Sequence, residues 1–335
     1  MIKFLLNTSI VLFVFFGLLI SIYIYLDPFK VVKDYDNYSD SLFIVNKDYV
    51  CTETFLKNYK RYHYNSFIFG SSRTMGFNPE VWAEALRNSG QKDVNPMTFD
   101  AFEETIVGIY NKLVLVKEKV KIKNALFILC RDKSFENRKP DEGLVLFKHP
   151  KTSSNTYFEL HFFYFKNFIN PDFFRRYIEF KMLGIYKPYM KKVFSEKIIK
   201  INPKTNFLQF ETNENSYGKD SIEFLTMMET EFEKRAKLKI DTTSRIKDQH
   251  KIILSNIAQL LKSDNIQYRI ILSPLFEQMN WNPKDLNFLK NLFGSNLYDY
   301  SGINEFTNNK LNYYESSHFR PVVGDKILNS IYNSN

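Results

Sequence analysis

Residue types that together can activate an oxygen nucleophile sit at two distant places in the chain. Ser71 and Ser72 follow the apolar run Ser66-Phe67-Ile68-Phe69-Gly70, and Glu315 stands three residues before His318 in Tyr313-Tyr314-Glu315-Ser316-Ser317-His318. A serine hydroxyl is a weak nucleophile until a base takes its proton, and an imidazole base works best when a carboxylate fixes its tautomer. Acyl transfer is the chemistry these types suit. An apolar run that stops on a glycine and two hydroxyls reads as a buried strand turning sharply into a helix. In an open α/β sheet, ligands bind outside the carboxyl ends of the strands, so a nucleophile at this turn faces the crevice. Ser72 is then expected near a helix N-terminus, where unpaired N–H groups favour a developing negative charge.

A serine early, an acid and a histidine late, and Arg320-Pro321 with Gly324 leading into an apolar helical tail from Val322 to Tyr332 form a recognisable order. The chain resembles the SGNH (GDSL-type) hydrolase and acyltransferase family, in particular its membrane-anchored, cell-surface members. The resemblance implies a flavodoxin-like, three-layer α/β fold. Gly70-Ser71-Ser72 stands at the family's Gly-Asp-Ser block with Ser71 where Asp is usual, which makes Ser72 the nucleophile. His318 takes the place of the family's C-terminal base. Glu315 stands where the Asp of the Asp-x-x-His block is expected, with Asp299 as a second candidate for the orienting acid. Glutamate departs from the pattern, because its extra methylene moves the carboxylate by about a bond length, and a displacement of that order in a catalytic group costs on the order of a hundredfold in rate unless the backbone compensates.

The family builds its oxyanion hole from the nucleophile's own N–H, a glycine after the second strand and an asparagine after the third. Here the Ser72 N–H supplies the first donor and Ala101, in Asp100-Ala101, falls at the second position, while Arg131-Asp132 follows Leu129 without a Gly-x-Asn block. Arg73 or Arg131 would bring positive charge to an oxyanion or an anionic acceptor; the alternative for both is a salt bridge to a nearby carboxylate. The resemblance implies addition or removal of acyl groups, such as acetyl, on a cell-surface polysaccharide. Transfer would require an acyl donor delivered by a partner such as a multispanning membrane protein, since no CoA-like site is recognised. The departures favour an alternative, a catalytically inactive binding or assembly component of surface-polysaccharide biosynthesis. Transfer of D-alanine to an envelope polymer is a third reading.

Positioning these residues requires the elements around them. Phe4 to Leu26 is twenty-three residues without a charge; at about 1.5 Å per residue it spans roughly 35 Å, enough to cross a bilayer core with some tilt. It is longer than the apolar region of a cleaved signal and lacks an Ala-x-Ala site, so residues 4–26 read as an uncleaved signal anchor. Lys3 on one side against Lys30 and Lys33 on the other leaves the positive-inside count near a tie. The short leading tail favours a cytoplasmic N-terminus and an extracytoplasmic, periplasmic or cell-surface, domain. Residues 27–47 read as a tether with little regular structure, and 48–335 as one α/β domain.

Strands are expected at 66–70, 94–100, 124–130, 267–274, closed by Pro274, and 296–300. Helices are expected from Asn78-Pro79, over 101–119, over 246–262 and from Asn282-Pro283 to Phe293. Strands alternating with helices of this length argue for a parallel sheet covered on both faces. From about 134 to 243 the pattern degrades into an insertion. Within it, His161 to Lys204 holds twelve Phe or Tyr and ten Lys or Arg against three acids. It reads as short helices packing aromatics inward, or as a lid or membrane-facing surface.

Aromatic residues at 17% and only 11 Gly and 11 Pro permit a large core, and the +9 net charge suits an anionic neighbour. No nucleic-acid-binding signature, dinucleotide or phosphate loop, or His-containing metal pattern is recognised, so neither nucleic acid, cofactor nor metal is expected. His63, His149, His161 and His250 read as structural or exposed. Cys51 and Cys130 would either pair in an oxidising compartment or stay buried as free thiols.

Overall fold

Along the run from Ser66 to Gly70, Phe67 and Phe69 belong to one apolar cluster and Ile68 to another, the alternation of a strand buried on both faces. The same alternation divides Ala125, Phe127 and Leu129 from Leu126 and Ile128, and Ile270 and Leu272 from Ile271. Three neighbouring strands thus carry two cores. The computed structural model describes residues 1–39, 45–137, 143–194, 199–210, 232, 235 and 239–332. Residues 40–44 of the expected tether and residues 211–231 of the expected insertion lie outside the described residues.

The chain opens with α1 (Ile2–Leu26) and α2 (Lys47–Tyr62), then β1 (Ser66–Gly70), a 3-10 turn (Ser72–Gly76), α3 (Pro79–Asn88), β2 (Pro96–Thr98), α4 (Ile106–Lys119) and β3 (Asn124–Leu129). It continues through α5 (Tyr157–Phe168), α6 (Pro171–Leu183) and a small antiparallel hairpin, β4 (Ile199–Ile201) and β5 (Leu208–Phe210). Then come α7 (Asp248–Ser263), β6 (Gln267–Leu272), α8 (Pro283–Phe293), β7 (Leu297–Asp299), α9 (Glu305–Asn308), β8 (Tyr313–Glu315), β9 (His318–Phe319) and α10 (Pro321–Tyr332).

The central sheet has five parallel strands in the order β2-β1-β3-β6-β7. Counted along the sheet's own strands this is 2-1-3-4-5, whose order reverses between β1 and β3; the carboxyl ends of those two strands therefore border the crevice where ligands of such sheets bind. α4, α7 and α8 cover one face together with Phe55 of α2, while α3 and α10 cover the other. Pro96 pairs with Ser66 on an edge strand, where a missing N–H is tolerated.

Local sequence accounts for several boundaries. The side chains of Asn78 and Asn282 accept hydrogen bonds from the N–H groups of Glu80 and Lys284, each with proline at the first helical position. Two expected elements differ. The helix expected over 101–119 begins only at Ile106, capped by Thr105. Glu103 adopts a left-handed φ of 51°, and Asp100 and Glu104 turn their carboxylates into a buried group of lysines, which holds 100–105 as a loop. Ser72 opens a five-residue 3-10 turn, and the α-helix starts afterwards at Pro79.

A third apolar cluster joins α5, α6 and the β4–β5 hairpin to Tyr23 of α1 and to Phe29, Val31, Tyr38, Val45 and Val50. The described residues 27–39 have irregular backbone, yet they are packed into this cluster. Asp27, at the left-handed end of α1, accepts the N–H groups of Val31, Val32 and Lys33 at 2.9–3.1 Å. Cys51 and Cys130 are buried free thiols.

Candidate active site

β1 must end on glycine, because a Cβ at Gly70 would meet Ile128 O at 2.8 Å and Thr74 Cγ2 at 2.9 Å. This close approach of β1 to β3 sets the turn that follows. Ser71 is buried, with Oγ 3.4 Å from Cys130 Sγ, whereas Ser72 is half-buried and its Oγ lies 2.7 Å from His318 Nε2. Only the second serine is placed to give a proton to the imidazole.

His318 and Glu315 are a cross-strand pair of the β8–β9 hairpin, facing each other across the turn Ser316-Ser317. Directly opposed residues bring their side chains within reach, and Glu315 Oε1 bonds His318 Nδ1. The other oxygen, Oε2, accepts the Ser317 N–H at 2.6 Å. A proton on Nδ1 held by the carboxylate leaves Nε2 as the acceptor facing Ser72. Burial pushes the Glu315 carboxyl up, but His318, the Ser317 N–H and Arg73 outweigh it and hold it below the ordinary carboxylate range. The glutamate is therefore an anion when it orients the ring.

Three contacts fix the hairpin and the helix that follows it against the turn that carries Ser72. The first is Arg73, buried to 5% exposure: its Nε donates to Ser317 O at 3.0 Å, while its two terminal nitrogens donate to Asp132 at 3.2 Å each. One guanidinium thus ties the turn after β1, the exit of β3 and the tip of the hairpin. The second is Gly76, where a Cβ would run into the Phe319 ring. The third is Gly324 of α10, where a Cβ would overlap the Gly76 carbonyl. A distance of 246 residues in sequence becomes a hydrogen bond through these contacts.

The other residues singled out from sequence are placed differently. Arg131 is taken up by Asp241 and by Glu277, the latter at 2.6 Å, so the salt-bridge alternative is the one found for both arginines. Ala101 directs its N–H to Gly70 O at 3.4 Å, which occupies the donor expected for an oxyanion. Asp299 accepts from the N–H and hydroxyl of Ser301 at 2.9 and 2.6 Å and does not join His318. The Ser72 N–H has no hydrogen-bond acceptor among the described residues.

Sequence reading missed a buried charge network beneath the turn. Thr74 donates to Asp100 Oδ2 at 2.5 Å, and Lys47 approaches Asp100 Oδ1 at 3.4 Å. Lys112, fully buried, bonds Asp48 at 2.6 Å, Asp100 O at 2.9 Å and Glu104. Lys148 reaches Glu104 at 2.6 Å. The signal was present in α4, where Lys112 falls on the stripe of Ile109, Leu113 and Val116; a lysine on an apolar face calls for buried partners. The arrangement as a whole can pass a proton from Ser72 to His318 and stabilise the resulting imidazolium with Glu315. Compared with protein-family models and with curated proteins, the chain matches none.

Proposed function

We propose that the protein is a membrane-anchored serine acyl-ester hydrolase or O-acyltransferase of the SGNH type, acting outside the cytoplasm on a cell-surface polysaccharide. The observation that carries the reading is the hydrogen-bonded series Ser72–His318–Glu315 at the carboxyl edge of the sheet, beside the reversal of strand order. One N-terminal helix, Ile2–Leu26, is apolar and long enough to span a membrane, and the net charge of +9 suits an acidic glycan.

In this reading Ser72 Oγ attacks the acyl carbonyl carbon as its proton passes to His318 Nε2. The Ser72 N–H is one donor to the oxyanion that forms. His318 returns the proton to the departing alkoxide, leaving an acyl group on Ser72. Water or a sugar hydroxyl then attacks the acyl-enzyme, losing its proton to His318; as the bond between the acyl carbon and Ser72 Oγ breaks, His318 returns that proton to Oγ, and the acid or the new ester leaves with Ser72 and His318 restored.

A second reading, an inactive component that binds glycan in the same crevice, is favoured by one specific observation. The Ala101 N–H and both nearby arginines are committed to other partners, so fewer donors face the oxyanion than in the family pattern.

The test uses the full chain in detergent with a fluorophosphonate serine probe, read by intact mass. One adduct is expected on the wild type and on Ser71→Ala, and none on Ser72→Ala or His318→Ala with unchanged circular dichroism. No adduct on the folded wild type overturns the enzymatic reading in favour of the binding component. Topology is tested with a reporter fused after Asn335, and activity only in the cytoplasm overturns the extracytoplasmic placement.

A further inference from the structure

We propose that the α5–α6 segment is a membrane-interface surface that seats the domain on an anionic lipid leaflet at the exit of α1. Phe158, Phe162 and Phe165 recur at i, i+4 and i+7 along one side of α5. Phe165 at the far end packs edge-on against Tyr23 of α1, with ring centroids 5.6 Å apart. The other two project from the fold, 78% and 57% exposed, with rings stacked at 6.0 Å. The apolar stripe is thus continuous with the contact made to the anchor. At the other end of the helical pair, Met182, Leu183 and Ile185 are exposed around the left-handed Gly184 that ends α6.

Length places this stripe at the bilayer boundary. With Lys3 at one interface, a hydrocarbon core of about 30 Å is crossed in about twenty residues of helix. The exit then falls near Tyr23, the residue α5 holds. Leu19, Ile22, Tyr23 and Leu26 are the positions of α1 that the domain covers, wholly or in part, while the rest of the helix up to Ile20 is exposed. The domain therefore grips the last two turns of the anchor, and α5 lies at the headgroup level. Asp27 folds the following residues back around its carboxylate, so the connection is short and braced.

Charge completes the match. Residues 157–192 carry seven Lys or Arg against three acids. Each acid is already engaged: Glu159 in the capping box of α5, Asp172 with Arg176 at 3.4 Å, and Glu179 with Lys187 at 2.6 Å. Lys166, Arg175, Lys181 and Lys191 are exposed. Basic heads beside apolar and aromatic side chains are what an anionic headgroup layer binds.

The experiment places a tryptophan at the stripe by Phe158→Trp and, separately, Phe162→Trp in the full chain, reconstituted into vesicles of phosphatidylcholine with phosphatidylglycerol. Ile303→Trp, 58% exposed and outside the cluster, serves as the aqueous reference; native Trp82 and Trp281 are buried and give a constant background. Brominated acyl chains should quench the two stripe reporters and leave Ile303→Trp unaffected. Acrylamide quenching of the stripe reporters should be roughly halved relative to the reference, and the protection should weaken when phosphatidylglycerol is left out. Full acrylamide access with no quenching by brominated lipid overturns the proposal. Protection from acrylamide without lipid quenching overturns it as well, because a protein then covers the stripe.

Discussion

At the residue scale, the placement of Glu315 turns on reach. Acid and base face each other across a two-residue turn, and the glutamate spans to Nδ1 while its second oxygen takes the Ser317 N–H. Glu315→Asp keeps the charge and withdraws it by about a bond length, so fluorophosphonate labelling should slow on the order of a hundredfold. Unchanged labelling would remove Glu315 as the orienting acid. Arg73 acts through its neighbours, holding Ser317 O and Asp132 with three hydrogen bonds. Arg73→Lys keeps the charge but cannot form the fork, and the labelling rate should fall roughly tenfold with the melting temperature little changed. Arg73→Met also removes a charge that depresses the Glu315 carboxyl; that carboxyl then titrates at higher pH, and the acid limb of the labelling profile should move upward. An identical profile shape in both variants would reduce Arg73 to a structural residue.

Among the elements, α10 has a mechanical role that follows from two glycines. Its first turn lies directly on the 3-10 turn after β1, with Gly324 against the Gly76 carbonyl and Phe319 against Gly76 Cα. Gly324→Ala inserts a methyl where backbone already stands, so α10 must lift and carry β9 with it. A loss of about 1–3 kcal/mol is expected from such overpacking, together with loss of labelling at temperatures where the domain is still folded. Gly17→Ala, with open space around it in α1, should change neither. The same elements show what sequence can disclose. β1, β3, β6, α3 and α8 were legible because alternation and Asn-Pro caps are written within a few residues. α2 was not, since Lys47–Tyr62 is polar overall and owes its place to Cys51 and Phe55 packing beneath β1. Residues 101–105 read as helix by propensity, but tertiary pairing of Glu104 with a buried lysine overrides it. Ser72, Glu315 and His318 could be chosen by type and spacing, whereas the hairpin that joins two of them, and the arginine that pins it, depend on contacts between distant segments.

For the molecule as a whole, the buried charge network couples the apolar cluster of α5, α6 and Tyr23 to the sheet. Lys112 of α4 meets Asp48 of α2 and Glu104 of the loop after β2, and Lys148 joins from the start of the insertion. Each charge was desolvated on folding, and each is tolerable only while its partners remain. Burial raises the Asp48 carboxyl, yet Lys112, Lys148 and the His149 N–H drive it far below its ordinary range; for Lys112, burial lowers the ammonium but Asp48 and Glu104 carry it well above. A depressed carboxyl contributes stability that is complete above its unfolded value near about pH 4 and is lost as pH falls through its folded value. Asp132, held down by Arg73 against its own burial, adds in the same direction. The domain should therefore resist mild acid and lose stability steeply below about pH 4. A raised ammonium works from the other side, its contribution complete below about pH 10 and lost only as pH rises through the folded value. Lys112→Met separates these terms. It leaves Asp48 and Glu104 buried with Lys148 as their remaining cation and should cost about 3–5 kcal/mol near neutral pH. Because Asp48 then loses its strongest depressing partner, the acid transition should begin at higher pH than in the wild type. A Lys112→Met protein with wild-type stability at pH 7 and an unshifted acid midpoint would show that the network contributes nothing to holding the α5–α6 cluster on the sheet.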